Sequence, residues 1–347
     1  MKRGTIIADS NIPFLEGALD EWFDVRPLPG REIGPADVRD VAALLVRTRT
    51  RCDAALLDGS SVRLIATATI GTDHIDLDYC KQRGIYICNA AGCNAGGVMN
   101  YVLSAIYGTA SRRRIQLEGS KVGLIGVGNV GSSVASALRL LGLDVLLCDP
   151  PRAEAEGPAL FCDLDFLLRN SDIVTLHVPL NASTRKMADA AFFSKMKLGA
   201  FFINASRGEI VNEDDLLAAL PKLGPVILDT WCNEPHINKV LASKVDIATP
   251  HIAGYSYQGK LLGTSMTVRS VARYFGLKDL FEFFPNPGDE PKDAVKLDLR
   301  GLSEGQIAST LQYNYPIFTD DFMFRVHPDE FESLRENYRY RREFFID

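Results

Sequence analysis

The sequence predicts an α/β protein, with two doubly wound parallel-sheet domains followed by a small α+β C-terminal module. Three observations carry that expectation. Short apolar runs alternate with amphipathic stretches, the pattern of strands buried on both faces and joined by helical crossovers. The alternation runs through two successive series, one on each side of a long helical segment beginning at Val98. After Pro285 the texture changes, and the stretch Pro285–Pro291 reads as a linker into a charged, aromatic tail.

In the first series, Thr5–Ala8, Ala42–Val46, Leu64–Ala68 and Ile85–Cys88 are expected as strands. Val98–Ser111 has apolar residues at helical spacing and predicts a long helix. The second series offers strands at Lys121–Gly126, Asp144–Cys148, Ile173–His177, Phe201–Asn204 and Val226–Asp229. Helices are expected at Val130–Leu141 and Asn212–Leu220, the latter with Glu213, Asp214 and Asp215 near its positive N-terminus. In the tail, Ala294–Leu299 reads as a strand and Glu330–Arg342 as a charged helix. The expected domains are residues 1–95 with 253–280, residues 96–252, and residues 281–347.

Composition narrows the class of function. The chain has 347 residues, 46% hydrophobic and 24% charged, as expected of a soluble globular protein of two or three domains. A net charge of −6 supplies no basic field for holding nucleic acid. The only apolar run near the start, Thr5–Ala8, is too short for a secretory signal, and no later run is long enough to span a bilayer. Seven cysteines form no CxxC pair, so reduced, buried thiols in a cytoplasmic protein are expected, with neither a metal site nor a disulfide framework.

The strongest local signal is Gly126-Val-Gly128-Asn129-Val130-Gly131, which follows a predicted strand and opens a predicted helix. In that Rossmann-like context the first glycine suits a tight turn and the second admits a pyrophosphate to the backbone. The third lets helix and strand pack closely, and the helix N-terminus supplies N–H groups to the phosphates. An acid about 20 residues on is expected to bind the adenosine ribose. Asp149 stands 149 − 131 = 18 residues after Gly131, at a strand end. Its charge would repel the 2′-phosphate of NADP, so NAD is the expected cofactor, with Arg152 as the residue that speaks for NADP.

Hydride transfer from an alcohol needs a base for the hydroxyl proton and a cation for any carboxylate. Histidine titrates near neutrality, and arginine matches both oxygens of a carboxylate. Of five histidines, His251 follows a strand ending near Pro250 and precedes the turn Ala253-Gly254. Open α/β sheets bind ligands at such strand ends. Arg207 follows another strand within Asn204–Gly208, and Glu234 follows Leu228–Trp231, where a carboxylate could hold the imidazole and favour its protonated form. Read alone, each has a structural alternative: a strand-end cap, a surface ion pair, a loop acid.

The order GVGNVG, NASRG, LDTWCNEP, TPHIAGY resembles the D-2-hydroxyacid dehydrogenase family over nearly the whole chain, more loosely after Pro285. The resemblance implies an NAD-dependent oxidation of a small 2-hydroxy acid with Arg207, Glu234 and His251 as its catalytic set. It also implies cofactor contacts from Asp149, Ala205, Ser206, Arg207, Asp229 and Gly254. Substrate contacts are implied at Thr48, Thr69 and Tyr255. Leu334–Tyr338 and Arg341–Glu343 resemble a C-terminal dimerisation segment, so a homodimer is expected. Two positions depart from the pattern: Asn100 stands where an acid is expected, and Val178 replaces a hydroxyl residue at the cofactor.

If Val46–Arg51 is extended, its arginines share one face and its threonines the other. Thr48 with Arg47 or Arg49 then becomes a candidate site for a substrate phosphate or carboxylate, against the alternative of a solvated edge strand. Two rival functions stand beside this one: a family member acting on 3-phosphoglycerate or an unphosphorylated acid, and a non-enzymatic NAD-sensing scaffold.

Overall fold

The computed structural model describes residues 2–286, 288 and 292–347, so the expected linker Pro285–Pro291 lies partly outside the described residues. The chain divides into two compact units, Met1–Asn94 with Tyr257–Asp293, and Ala95–Ser256 with Ala294–Asp347.

The first unit is a five-stranded parallel sheet of β1 (Thr5–Asp9), β2 (Asp24–Leu28), β3 (Ala43–Val46), β4 (Leu64–Thr67) and β5 (Tyr86–Asn89), in the order β2-β1-β3-β4-β5. Strand β2 escapes a hydrophobicity reading because Asp24, Arg26 and Pro27 make it polar. As an edge strand it tolerates a proline that a central one would not. The helix Tyr257–Phe275 returns to this unit, where Val268, Val271 and Ala272 join Ile6, Leu45 and Leu64 in one apolar cluster.

The expected alternation through Val46–Arg51 does not form. β3 ends at Val46, residues 48–49 turn, and Thr50 donates its backbone N–H to the Arg47 carbonyl at 3.4 Å. Thr50 is buried, its hydroxyl bonded to the Gly30 carbonyl at 2.9 Å, while Thr48 is exposed. The turn forms just past the C-terminal end of the sheet: β3 is the central strand, and its neighbours β1 and β4 end level with it at Asp9 and Thr67.

The second unit holds six parallel strands: β6 (Lys121–Ile125), β7 (Asp144–Cys148), β8 (Ile173–Leu176), β9 (Phe201–Asn204), β10 (Val226–Leu228) and β11 (Ile247–Ala248), in the order β11-β10-β9-β8-β6-β7. Two apolar clusters cover its faces. The helix Ala95–Arg113 buries every residue from Gly97 to Ala110, the polar Asn100, Ser104 and Thr109 among them.

Residues 294–347, expected as a module of their own, cluster with this unit. The helix Glu304–Asn314 packs along Ala95–Arg113, and Ile307, Ala308 and Leu311 enter the same core. The tail strand expected at Ala294–Leu299 appears as β12 (Val295–Leu297), paired in parallel with β13 (Phe344–Ile346). The helix expected over Glu330–Arg342 is shorter, Phe331–Glu336, because the residues beyond it pack their side chains against helix Ile317–Val326 and the strand ends. No helix among the described residues is long and apolar enough to cross a membrane.

Candidate active site

The C-terminal edge of the second sheet is built from loops leaving aligned strand ends. Leu228 is in register with Asn204 on one side and Ala248 on the other, so the chain leaves β9, β10 and β11 at one level. Arg207, Glu234 and His251 lie on those three neighbouring exits. The dinucleotide loop leaves β6 two places further along the sheet.

His251 and Glu234 meet directly, with the imidazole Nδ1 2.8 Å from the carboxylate Oε2. Their side chains are 23% and 20% exposed, shielded enough for the pair to hold and open enough to meet a substrate. The backbone N–H of Trp231 donates to the other Glu234 oxygen at 3.0 Å. Burial pushes the Glu234 carboxyl up. The charge and hydrogen bond of His251, the guanidinium of Arg335 and the Trp231 N–H outweigh it, so the net shift is downward and Glu234 is held ionised.

His251 adopts a left-handed backbone with φ of 58°, which costs a non-glycine residue about 1–2 kcal/mol. Asp229 holds it there. The Asp229 carbonyl accepts the His251 N–H at 2.7 Å, and its carboxylate accepts Ile252 N–H at 2.8 Å, Ala253 N–H at 2.9 Å and the Thr249 hydroxyl at 2.7 Å. With 1% exposure, Asp229 spends both oxygens on this loop. Burial drives its carboxyl pKa up, against the charge of His251 and these three donors.

Arg207 is half-buried, with an Nη1–H to the Ser206 carbonyl at 2.8 Å. Ser206 is buried and donates its hydroxyl to the Leu176 carbonyl at 2.6 Å, while Asn204 braces the turn through both ends of its amide. The next residue, Gly208, lies flat against the Trp231–Cys232 peptide, and a Cβ there would overlap the Trp231 carbonyl. That contact ties the arginine loop to the carboxylate loop.

At the dinucleotide loop, Gly126 has φ of 87°, and a Cβ on Gly131 would collide with the Gly126 carbonyl. Gly128 is the open member. It is the N-cap of helix Asn129–Leu140, makes no side-chain capping bond, and a Cβ there would meet nothing within 4 Å. Gly128 and Asn129 are exposed, leaving the helix N–H groups for an anion. Asp149 accepts the Val127 N–H at 2.7 Å and caps the following helix through Arg152 N–H at 3.1 Å. Arg152 is held by both Glu156 oxygens at 2.7 Å and by the Val127 carbonyl at 2.6 Å, so its guanidinium is already partnered within the chain. These residues fit a dinucleotide, which when bound would supply the hydride acceptor.

Val178 and His177 border Gly126. Burial lowers His177 to about 4, so it is neutral, 3.1 Å from the Thr175 hydroxyl. Ala205 and Gly254 are half-buried at the same strand ends. Tyr255 is half-buried against the rings of Tyr338 and Tyr340. In the first unit, Arg47 donates to the Asn11 carbonyl at 2.8 Å, and the hydroxyls of Thr69 and Thr67 lie 2.7 Å apart.

Two contributors come from the tail and were not anticipated. Asp321 accepts the Ala248 N–H at 2.7 Å, pinning β11 three residues before His251, and Arg335 lies 3.9 Å from Glu234. Neither could be found by periodicity, because nothing in the local sequence says which distant strand a tail residue will meet.

Residues 100–253 match the family model for the D-isomer specific 2-hydroxyacid dehydrogenase NAD binding domain. The chain belongs to that family and is an NAD-dependent dehydrogenase. Among its curated relatives is an erythronate-4-phosphate dehydrogenase of Bacteroides fragilis, 40% identical over 345 residues and 97% of both chains. Another of that name, from Chromohalobacter salexigens, is 46% identical over 291 residues, 81% of this chain and 76% of the relative. Among solved structures, the Aquifex aeolicus D-lactate dehydrogenase complexed with NAD and lactic acid is 25% identical with a TM-score of 0.66, covering 82% of this chain and all of that one. The NAD-bound 3-phosphoglycerate dehydrogenase of Entamoeba histolytica shares the fold at 19% identity and a TM-score of 0.69, over 81% and 98% of the two chains.

Proposed function

We propose that the enzyme oxidises 4-phospho-D-erythronate to (R)-3-hydroxy-2-oxo-4-phosphobutanoate, a step of pyridoxal 5′-phosphate biosynthesis in the cytoplasm. The observation that carries the chemistry is the 2.8 Å His251–Glu234 pair at a strand end beside the Arg207 loop. The substrate rests on 40% identity over 97% of the chain to an enzyme of that name.

In this reading Arg207 holds the substrate carboxylate through its planar fork. The His251 imidazole takes the 2-hydroxyl proton as the C2 hydrogen leaves as hydride, and Glu234 stabilises the imidazolium. Asp229 aims the histidine. Gly126, Gly128, Asn129, Val130, Gly131, Asp149, Val178, Ala205, Ser206, Asp229 and Gly254 line the cofactor site. Thr48, Thr69, Tyr255 and Arg47 serve the substrate, and the phosphate falls to Thr48 with Arg47.

The deciding experiment follows NADH formation with 4-phospho-D-erythronate, 3-phosphoglycerate and D-lactate at equal concentration. The expected result is a kcat/KM for the first at least tenfold above the others. Preference for 3-phosphoglycerate would move the enzyme elsewhere in the family, and NAD binding without turnover of any hydroxy acid would favour the scaffold. Arg47→Ala should raise KM for the phosphorylated acid far more than for lactate; equal effects would take the phosphate away from Arg47. A homodimer joined through the C-terminal segment is part of the reading. Tyr313, Phe322, Met323, Val326 and Phe345 expose apolar surface there, and sedimentation of the full chain at two protomer masses is the expected result.

A further inference from the structure

We propose that Arg335, on the tail helix Phe331–Glu336, is a positioning residue for the reaction: it acts through Glu234 to keep the His251–Glu234 pair ready to accept the substrate proton. The inference rests on the functional reading above and deepens it.

Arg335 is 8% exposed, an unusual place for a guanidinium. A buried cation is strongly destabilising unless it is paired. The ion pair the structure gives it is to Glu234 Oε2 at 3.9 Å, the same oxygen that meets His251 Nδ1 at 2.8 Å. Its guanidinium also stands 5.6 Å from the centre of the Tyr255 ring, four residues after His251. The guanidinium is hydrogen-bonded to the Tyr255 side chain, and among the described residues its Nε has no hydrogen-bond partner. A purely structural arginine would more economically satisfy its donors on carbonyls, as Arg325 does on Ala242 and Val245 at 2.9 and 2.8 Å.

The charged and titratable groups facing this point come from three elements. The β10 exit supplies Asp229 and Glu234, the β11 exit supplies His251 and Tyr255, and the tail supplies Arg335. One carboxylate thus lies between two basic groups. Left with His251 alone, Glu234 favours a protonated imidazole, which cannot act as a base in the oxidising direction. The nearby guanidinium opposes a second positive charge and lowers the proton affinity of the pair as a whole. It also holds the carboxylate so that it keeps the imidazole oriented.

The test compares Arg335→Met, Arg335→Gln and Arg335→Lys in the full chain, in two measurements. The first is the pH profile of kcat/KM for NAD-dependent oxidation of 4-phospho-D-erythronate. The second is the NMR titration of the His251 imidazole in cofactor-free protein, assigned with His251→Asn, which reads the proposal whatever substrate the enzyme prefers. Removing the cation should move the acid limb and the imidazole titration upward by roughly one pH unit, with kcat at neutral pH falling several-fold and KM changing little. Arg335→Lys should restore most of both. The glutamine variant keeps a polar head in the buried site, so a folding failure of the methionine variant leaves the measurement readable. An unmoved titration in the folded glutamine or methionine variant would overturn the proposal, as would a pH-independent loss that lysine does not rescue. Absence of wild-type turnover with an upward-moved imidazole titration would instead sink the choice of substrate and leave Arg335 in its role.

Discussion

In the proposed mechanism a single histidine carries the acid–base chemistry, and its surroundings explain how. His251 sits in a left-handed conformation held by four hydrogen bonds that Asp229 accepts from this loop, and Glu234 grips its Nδ1. His251→Asn should lower kcat by roughly 10²–10⁴ while NADH still binds, as judged by cofactor fluorescence. Near-wild-type turnover would remove His251 from the chemistry. Glu234→Gln acts with a definite sign. Without the carboxylate a protonated imidazole is less favoured, so the acid limb of oxidation should move to lower pH as kcat falls; an upward move would contradict the pairing. Asp149→Ala should raise KM for NAD roughly tenfold and narrow the preference over NADP if, as proposed, its charge faces the adenosine ribose. A KM that stays put would leave Asp149 as no more than the cap and Val127 acceptor it already is.

Among the elements, the helix Ala95–Arg113 shows how a departure from the family pattern can be explained by its partner. Asn100 is buried, its amide N–H₂ donating to the Phe344 carbonyl at 2.7 Å and its oxygen accepting the Phe344 N–H at 3.0 Å. It behaves as one more rung of a ladder, tying β13 to the helix. An acid there could accept but not donate. Asn100→Leu should therefore destabilise the protein by about 2–4 kcal/mol, since two buried backbone groups lose their partners. Denaturant midpoints give the check, and a variant as stable as wild type would mean that water replaces both bonds. The loops of the site were legible as chemistry but not as geometry. The arginine and carboxylate loops were recognisable from their residues, whereas the Gly208 contact that ties them depends on how two separate strand exits pack.

Over the whole molecule, the tail is the part that only the folded chain explains. Asp320 is buried beside Arg341 at 2.6 Å and Tyr338 at 3.1 Å, yet burial dominates and lifts its carboxyl from the ordinary 3.8 to about 6. The folded protein therefore binds this proton more tightly than the unfolded chain does. The stability from that proton is fully present below about pH 4 and is lost as pH rises through about 6. Asp320→Asn should flatten that stretch of the stability–pH curve in denaturant melts, and parallel curves for the two proteins would refute the assignment.

The sequence by itself determined the two parallel-sheet series, most of their strands, the dinucleotide loop and the order of arginine, glutamate and histidine. Those features are local: apolar runs, glycines that spare a clash, reactive residues set just after strands. Edge strand β2 was hidden because Asp24, Arg26 and Pro27 make it polar, and the turn at Arg47–Thr50 because it follows the C-terminal end of central strand β3. What the tertiary structure alone decided is where the tail goes. Asp321 reaches β11, Asn100 reaches β13, and Arg335 reaches Glu234. Each pairs residues some 70 to 240 positions apart, and such pairings follow from which faces the core leaves uncovered rather than from any pattern along the chain.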